Sequence, residues 1–356
     1  KRGVVAAHTG DPVGAAESIV ISLEIKPDNV AALDALVKLS SDDPRSYDYS
    51  ATFRELEKIY RKRDDSAPLL SRVMVGQAKI RTREGDLRAA EQALASAIER
   101  SPGDFAIISA LVDLHVSMRN WKAAVQVLDG FLKQGSPDMA MKKAVLFRQV
   151  ELFADGEMDA LKAVQVLEKL LALDSSDPEV HYKLAQELFV LERYDEARRE
   201  IEKVIEIAAA PGANLSAEQL SRYYYYLGRI LERAGEQRGA ASQYRRAAEY
   251  DPGYAPPALA LAMRSMESGD QRAAETRLIN SAHAAMGQGD KHSAIPLQRG
   301  LARILLKGGD RDAAIEAYRG ILEVEPRGAA DRLALAEIYA EKDLRKAIAE
   351  GRKVQV

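Results

Sequence analysis

The stretch Tyr224–Pro252 reads YYYLGRILERAGEQRGAASQYRRAAEYDP, and most of the remaining chain reads as inexact copies of it. Tyr224, Leu227, Gly228 and Leu231 recur at i, i+3, i+4 and i+7, which places them on one face of a helix. Ala240, Tyr244 and Ala247 recur at i, i+4 and i+7 on a second helix. Between the two lies Ala234-Gly235-Glu236, where glycine supplies the left-handed conformation that ends a helix. Pro252 closes the unit, because proline lacks the N–H that would continue the second helix. The spacing predicts two amphipathic helices joined by a short turn.

Copies lie on both sides. Ala90 and Ala124, Ala163 and Ala197, and Ala240 and Ala274 are each 34 positions apart. Self-similarity at a fixed period means a stack of like units, each burying against the next what it cannot bury alone. Working outward gives a partial repeat at 1–29, then repeats at approximately 30–66, 67–104, 105–138, 139–177, 178–214, 215–254, 255–288 and 289–328, and a partial repeat at 329–356. Three segments break the period. The first, 41–50, begins in the turn cluster Ser40-Ser41-Asp42-Asp43-Pro44. The second, 208–216, carries a Pro211-Gly212 loop signal and ends in a capping box, Ser216 with Gln219. The third is an extension around 286–292. Asp155-Gly156-Glu157 reads as a turn one residue longer than the others, and the helix around Leu56, Ile59 and Tyr60 is the poorest copy. Lys1 to Ala7, with Gly3, reads as the tail of a first helix before a Gly10-Asp11 turn. Both ends therefore read as cut within a repeat, with any targeting segment outside this sequence.

With large, Leu, small and aromatic landmarks in its first helix and Ala-aromatic-Ala in its second, the unit resembles the tetratricopeptide repeat (TPR). The resemblance covers essentially the whole chain. It implies an all-α fold: a right-handed α-solenoid superhelix of tandem TPR helix-turn-helix units, one solenoid over 1–356. The small residues Gly228, Ala185, Ala78, Ala262, Ala302 and Ala336 are expected to let the two helices of a unit approach closely.

Composition fits a repeat array and excludes several chemistries. The 356 residues exceed an ordinary single core, a limit that does not apply to a stack. With 47% hydrophobic residues, 29% charged residues and a net charge of −3, the chain reads as folded and not as a broad nucleic-acid binder. The absence of cysteine excludes disulfides, zinc-thiolate sites and thiol nucleophiles. No apolar run approaches the roughly 20 residues of a membrane helix. His8, His115, His181, His283 and His292 are scattered without metal-ligand spacing, and His115 and His181 fall on landmark positions that packing explains. Gly308-Gly309-Asp310 and Gly287-Gln288-Gly289-Asp290 lack the lysine and hydroxyl of a phosphate loop and the alternating acids of a calcium loop, so they read as turns. No serine sits in a nucleophile elbow. The expectation is no catalytic residue, no metal and no cofactor.

Binding remains. The resemblance implies that the first helices line a concave groove, and carrying its groove positions over residue by residue selects candidates. They are Tyr182, Lys183 and Gln186, with Phe189; Arg222, Tyr225, Tyr226, Arg229 and Arg233, with Glu232; Met263 and Met266, with Leu259; and Arg299 and Arg303. Arginine makes bidentate contacts to carboxylate or phosphate, tyrosine supplies rigid amphipathic area, and methionine adapts to an apolar anchor. The expected partner is a protein or peptide, acidic or mixed acidic-aromatic. The competing reading is that Tyr223 to Tyr226 pack between helices and the arginines are merely solvated. The family's carboxylate clamp for chaperone tails is not reproduced, since Tyr182, Gln186, Tyr226 and Ala260 stand at its positions. Nucleic acid is disfavoured by the net charge and the lack of a base-reading code. The functional expectation is a non-enzymatic protein-protein interaction scaffold, with bacterial assembly, export or polarity systems as the setting the resemblance suggests. The alternative is the regulatory or substrate-recruiting region of a larger enzyme. The compartment expected first is the cytoplasm, with the periplasm second.

Overall fold

The computed structural model describes residues 11–42, 45–63, 67–134, 137–210, 213, 215–289, 291–340 and 343–354. The expected helix tail at Lys1–Ala7, Gly10, Asp43-Pro44, Pro211-Gly212 and Asp290 lie outside them. Among the described residues there are nineteen α-helices and no strands, and consecutive helices pair as helix-turn-helix units. The chain is thus an all-α array of such units. It divides into two compact units, Lys1–Leu173 and Asp174–Val356.

The first unit contains α1 (Pro12–Ile25), α2 (Val30–Asp42), α3 (Tyr49–Arg61), α4 (Ala67–Glu84), α5 (Leu87–Arg100), α6 (Phe105–Ser117), α7 (Trp121–Gln134), α8 (Met139–Glu151) and α9 (Ala160–Leu173). Ala90, Leu94 and Ala97 of α5 are buried as the repeat pattern requires, and so are Leu70, Met74 and Ala78 of α4. Helix α3 departs from the expected register. Its buried face is Tyr49, Phe53, Leu56 and Tyr60, whereas Ile59 is 46% exposed. The Phe53 ring lies against Gly76 of α4, and the Tyr60 hydroxyl donates to the Pro27 carbonyl at 2.7 Å. The expected turn at Ser40–Asp42 is instead the last turn of α2, with the Ser40 hydroxyl donating to the Val37 carbonyl.

A second correction concerns Asp155-Gly156-Glu157. These residues belong to a π-helical turn, Leu152–Glu157, which continues α8 and ends at Met158 in the left-handed conformation. The Trp121 ring fills the space beside Gly156, where a Cβ would stand 2.7 Å from Cε3. The surplus residue is absorbed inside the helix as a widened turn, so α9 still starts in phase.

The second unit contains α10 (Pro178–Val190), α11 (Tyr194–Ala209), α12 (Ala217–Arg233), α13 (Gln237–Tyr250), α14 (Ala255–Glu267), α15 (Gln271–Gly287), a 3₁₀ turn at Lys291–Ala294, α16 (Ile295–Lys307), α17 (Arg311–Val324), α18 (Ala329–Ala340) and α19 (Leu344–Arg352). Within the period-breaking segment at 286–292, α15 runs on to Gly287 and the 3₁₀ turn starts at Lys291. Tyr224, Leu227, Gly228, Leu231, Ala240, Tyr244 and Ala247, the landmarks of the defining stretch, are all buried. The Ser221 hydroxyl donates to the Ala247 carbonyl at 2.8 Å, tying α12 to α13. His181 is buried between Glu200 Oε2 at 2.6 Å from Nδ1 and the Ser175 carbonyl at 3.0 Å from Nε2, which accounts for it as a packing and tethering residue.

Seven of the turns between helices share one device. Gly85, Arg119, Met158, Glu192, Gly235, Gly269 and Gly309 all have positive φ, and an acceptor side chain usually follows. Asp86, Asp270 and Asp310 each accept a backbone N–H at the start of the next helix, as does Asn120 from Ala123. The left-handed residue ends one helix and the cap starts the next. The glycine-aspartate pairs are therefore structural turns.

Candidate partner-binding face

In the second unit, α10, α12 and α14 carry most of the candidate side chains, and α12 is the centre. It starts in the capping box expected from sequence: the Ser216 hydroxyl accepts from the Gln219 N–H, and the Gln219 side chain accepts from the Ser216 N–H. That fixed start sets which way four consecutive tyrosines point.

Tyr223 and Tyr226 turn inward, 2% and 6% exposed, toward α10. The Tyr182 ring centroid lies 5.0 Å from that of Tyr223 and 5.6 Å from that of Tyr226, and Phe189 lies 5.6 Å from Tyr226. Tyr224 stacks on Tyr250 at 5.3 Å. Tyr225, half-buried, meets Tyr244 at 5.6 Å and, edge-on, Tyr254 at 5.8 Å, just before α14. Tilted and edge-to-face pairs are the favoured arrangements of aromatic quadrupoles, so the cluster is rigid. Packing thus accounts for Tyr223, Tyr224 and Tyr226, while Tyr182, Tyr225 and Tyr254 keep partly exposed rings.

The guanidinium of Arg229 lies over Phe189 at 4.8 Å and over Tyr226 at 5.5 Å, and Arg222 is exposed one turn before Tyr225. Cation-aromatic contacts hold Arg229 in place without neutralising it. Burial pushes the phenols of Tyr182, Tyr225 and Tyr226 up from their ordinary value, and that of Tyr254 up to about 12. The positive fields of Arg222 and Arg229 oppose that rise at both Tyr182 and Tyr254. Both cations therefore act on the phenols of the same aromatic surface.

The other candidates stand apart. Lys183 is 3.7 Å from Glu179, and the Gln186 carbonyl faces the Tyr226 hydroxyl at 3.5 Å. Arg233 is exposed at the end of α12, and Met263 is 65% exposed on α14, whereas Met266 is partly buried against the core cluster that includes Ala262 and Leu278. Arg299 is engaged within the fold, where it grips both oxygens of buried Asp331 at 2.8 and 2.6 Å and reaches Glu325 at 3.2 Å. Arg303 is exposed and lies near the Tyr318 phenol. Glu232 is held by the Tyr244 hydroxyl at 3.0 Å and by Arg264 at 3.7 Å. Sequence reasoning missed Tyr254, because a residue preceding a helix carries no periodicity that assigns it to a face. Among the described residues, no cluster of three or more potential metal ligands occurs, and no helix is long and apolar enough to cross a membrane.

Family models described as tetratricopeptide repeat match residues 81–146, 152–217 and 299–355, together just over half of the chain. The chain belongs to the tetratricopeptide repeat family. In TPR terms α10, α12, α14 and α16 are first helices, and α11, α13, α15 and α17 are second helices. Solved structures similar to this TPR chain include three of low identity. One is MamA, residues 41 to the end, from Desulfovibrio magneticus RS-1, 18% identical, with 55% of this chain and 95% of that one covered at a TM-score of 0.38. Another is the APC/C hetero-tetramer Cut9-Hcn1, 14% identical, with 99% and 71% covered at 0.44. The third is the C-terminal part of a TPR repeat-containing protein from Cytophaga hutchinsonii, 14% identical, with 72% and 97% covered at 0.45. No curated protein matches the sequence.

Proposed function

We propose that this TPR chain is a non-catalytic interaction scaffold whose α10–α12–α14 face captures an acidic segment of a partner protein. The observation that carries the reading is the contrast among arginines. Arg264 and Arg299 are paired with carboxylates, while Arg229 sits over aromatic rings and Arg222 is exposed, neither with a carboxylate partner among the described residues. A guanidinium already placed costs less ordering entropy when a carboxylate arrives. The half-exposed rings of Tyr182, Tyr225 and Tyr254 supply contact area beside the charges.

The test is selection from a displayed random-peptide library on the wild-type chain and on an Arg222→Ala/Arg229→Ala variant, with circular dichroism to verify that both are folded. The expected wild-type selection is rich in Asp and Glu, and the variant loses that enrichment. An acidic preference that survives in the double variant would sink the assignment of this face.

A further inference from the structure

The first unit holds a cleft that the α10–α12–α14 face does not involve. It has a volume of about 240 Å³ and opens between the end of α2, the second half of α4 and α6. Its polar lining is Ser41, Lys79, Thr82, Arg83 and Asp113, over an apolar floor that includes buried Leu94 and Leu114. Ser41 reaches the cleft because it lies in the last turn of α2, and the same turn presents the Ser40 carbonyl to Arg83 Nη1, which donates to it at 2.6 Å. Lys79 and Arg83 stand at i and i+4 on α4, so both side chains leave one face of the helix with their Cβ atoms about 5–6 Å apart. Among the described residues Lys79 has no ion-pair partner, and Arg83 is held only by a neutral carbonyl. The carboxylate in the lining, Asp113, is already bound by Arg148 of α8 at 2.7 Å. The cleft therefore gathers two cations whose charge is left over beside a carboxylate whose charge is taken up.

We propose that this cleft binds the phosphoryl group of a phosphorylated side chain on a partner protein, a second site on the scaffold. Size selects a single group, since pockets for whole small molecules run from about 300 to 1,000 Å³ and this one is smaller. Charge selects a dianion. A phosphomonoester carries about −1.5 to −2 at neutral pH, which matches Lys79 and Arg83 together, whereas one carboxylate leaves a cation unmatched. Arg83, pinned to Ser40 through one amino group, keeps its remaining N–H donors for phosphoryl oxygens, and Lys79 adds a compact point charge. The Ser41 and Thr82 hydroxyls donate to the Val37 and Ala78 carbonyls of their own helices, and a hydroxyl proton can rotate to a stronger acceptor. The leucine floor suits the carbon that bears the phosphate.

The test is fluorescence anisotropy with fluorescein-labelled peptide pools whose degenerate flanks surround a fixed central phosphoserine, glutamate or serine. The full chain is used in the Arg222→Ala/Arg229→Ala background, so that the α12 face does not contribute, and inorganic phosphate serves as competitor. Expected is phosphoserine binding about tenfold or more tighter than glutamate binding, displaced by inorganic phosphate. That preference should be lost in Lys79→Ala and in Arg83→Gln and kept in Lys38→Ala, which removes an exposed cation of α2 outside the cleft. Circular dichroism verifies folding, and Lys79→Ala breaks no ion pair of the fold. No preference for phosphoserine over glutamate, or a preference that survives Lys79→Ala, overturns the inference. Binding of inorganic phosphate that depends on Lys79, seen by phosphorus NMR without any phosphoserine preference, makes a free anion the occupant and overturns the partner-protein source. None of these outcomes bears on the acidic-segment reading, which concerns the α12 face.

Discussion

At the scale of single residues, the close approach of α12 and α13 depends on Gly228. A Cβ there would stand 2.5 and 2.6 Å from Cε1 and Cδ1 of Tyr244, a buried ring that cannot move aside. Gly228→Ala is expected to cost about 1–3 kcal/mol through overpacking, against the gain in helix propensity, read as a lowered midpoint in urea unfolding. A second residue-scale prediction concerns the left-handed turn positions. Gly235→Ala should destabilise by about 1 kcal/mol, whereas Arg119→Gly and Glu192→Gly should cost little or stabilise by up to roughly 1 kcal/mol, since both residues already bear the strain of positive φ. A thermal melt in which both glycine variants lose as much as Gly235→Ala would refute this reading of the turns. The small-residue landmark and the Gly-Asp turns were legible in the sequence, because glycine announces these conformations. Arg119, Met158 and Glu192 were not: their left-handed φ is imposed by the closure of neighbouring helices, which no residue type signals.

At the scale of elements, helix starts were legible wherever a local side chain makes them, as at Ser216 and Gln219. The register of α3 was not. Tyr49 and Phe53 lie outside the apolar trio that periodicity singled out, and only contact with α4 shows that Phe53 supplies the buried ring beside Gly76. Nor was the π turn after α8, since the need for an extra residue comes from where the Trp121 ring packs. Long-range charge pairing was equally silent: Arg299 read as a groove cation, yet it binds Asp331, thirty-two positions away at the start of α18. Asp331 is 2% exposed, while the Arg299 side chain reaches solvent. Arg299→Ala is therefore expected to cost more than Asp331→Ala, roughly 1–3 kcal/mol, because it strands a buried carboxylate while the freed arginine can turn to water or Glu325. Guanidinium chloride unfolding of the two variants gives the order, and a larger loss for Asp331→Ala would contradict it.

At the scale of the molecule, each compact unit holds its own buried clusters, so stability is distributed over many helix-helix interfaces. In the second unit those interfaces are rich in phenols, and burial raises the pKa of Tyr182, Tyr223, Tyr224, Tyr225, Tyr226, Tyr244 and Tyr254. A raised folded-state pKa contributes stability that is fully present below the unfolded value, about 10, and is lost as pH rises through the folded one. The expected outcome is alkaline unfolding that begins above about pH 10 and progresses through pH 12, with part of the tyrosinate absorbance appearing together with loss of helical circular dichroism. Full tyrosine ionisation near pH 10 in a chain that stays helical would contradict the burial of these rings.

The sequence by itself determined that the chain is all-helical and repetitive, which helix faces are buried in most repeats and where most turns fall. These features follow from periodicity, glycine conformational freedom and capping, all of them local properties of the chain. Only the tertiary structure decided which of four consecutive tyrosines face inward, which arginines are engaged by carboxylates and that Tyr254 meets Tyr225. Those outcomes depend on the angle and offset at which one repeat meets the next, and each is set by the summed shape of side chains far apart in sequence. The stretch Tyr224–Pro252 shows both halves: its landmarks were readable as packing from spacing alone, while the aromatic seat of Arg229 became visible only once its neighbours on α10 were in place.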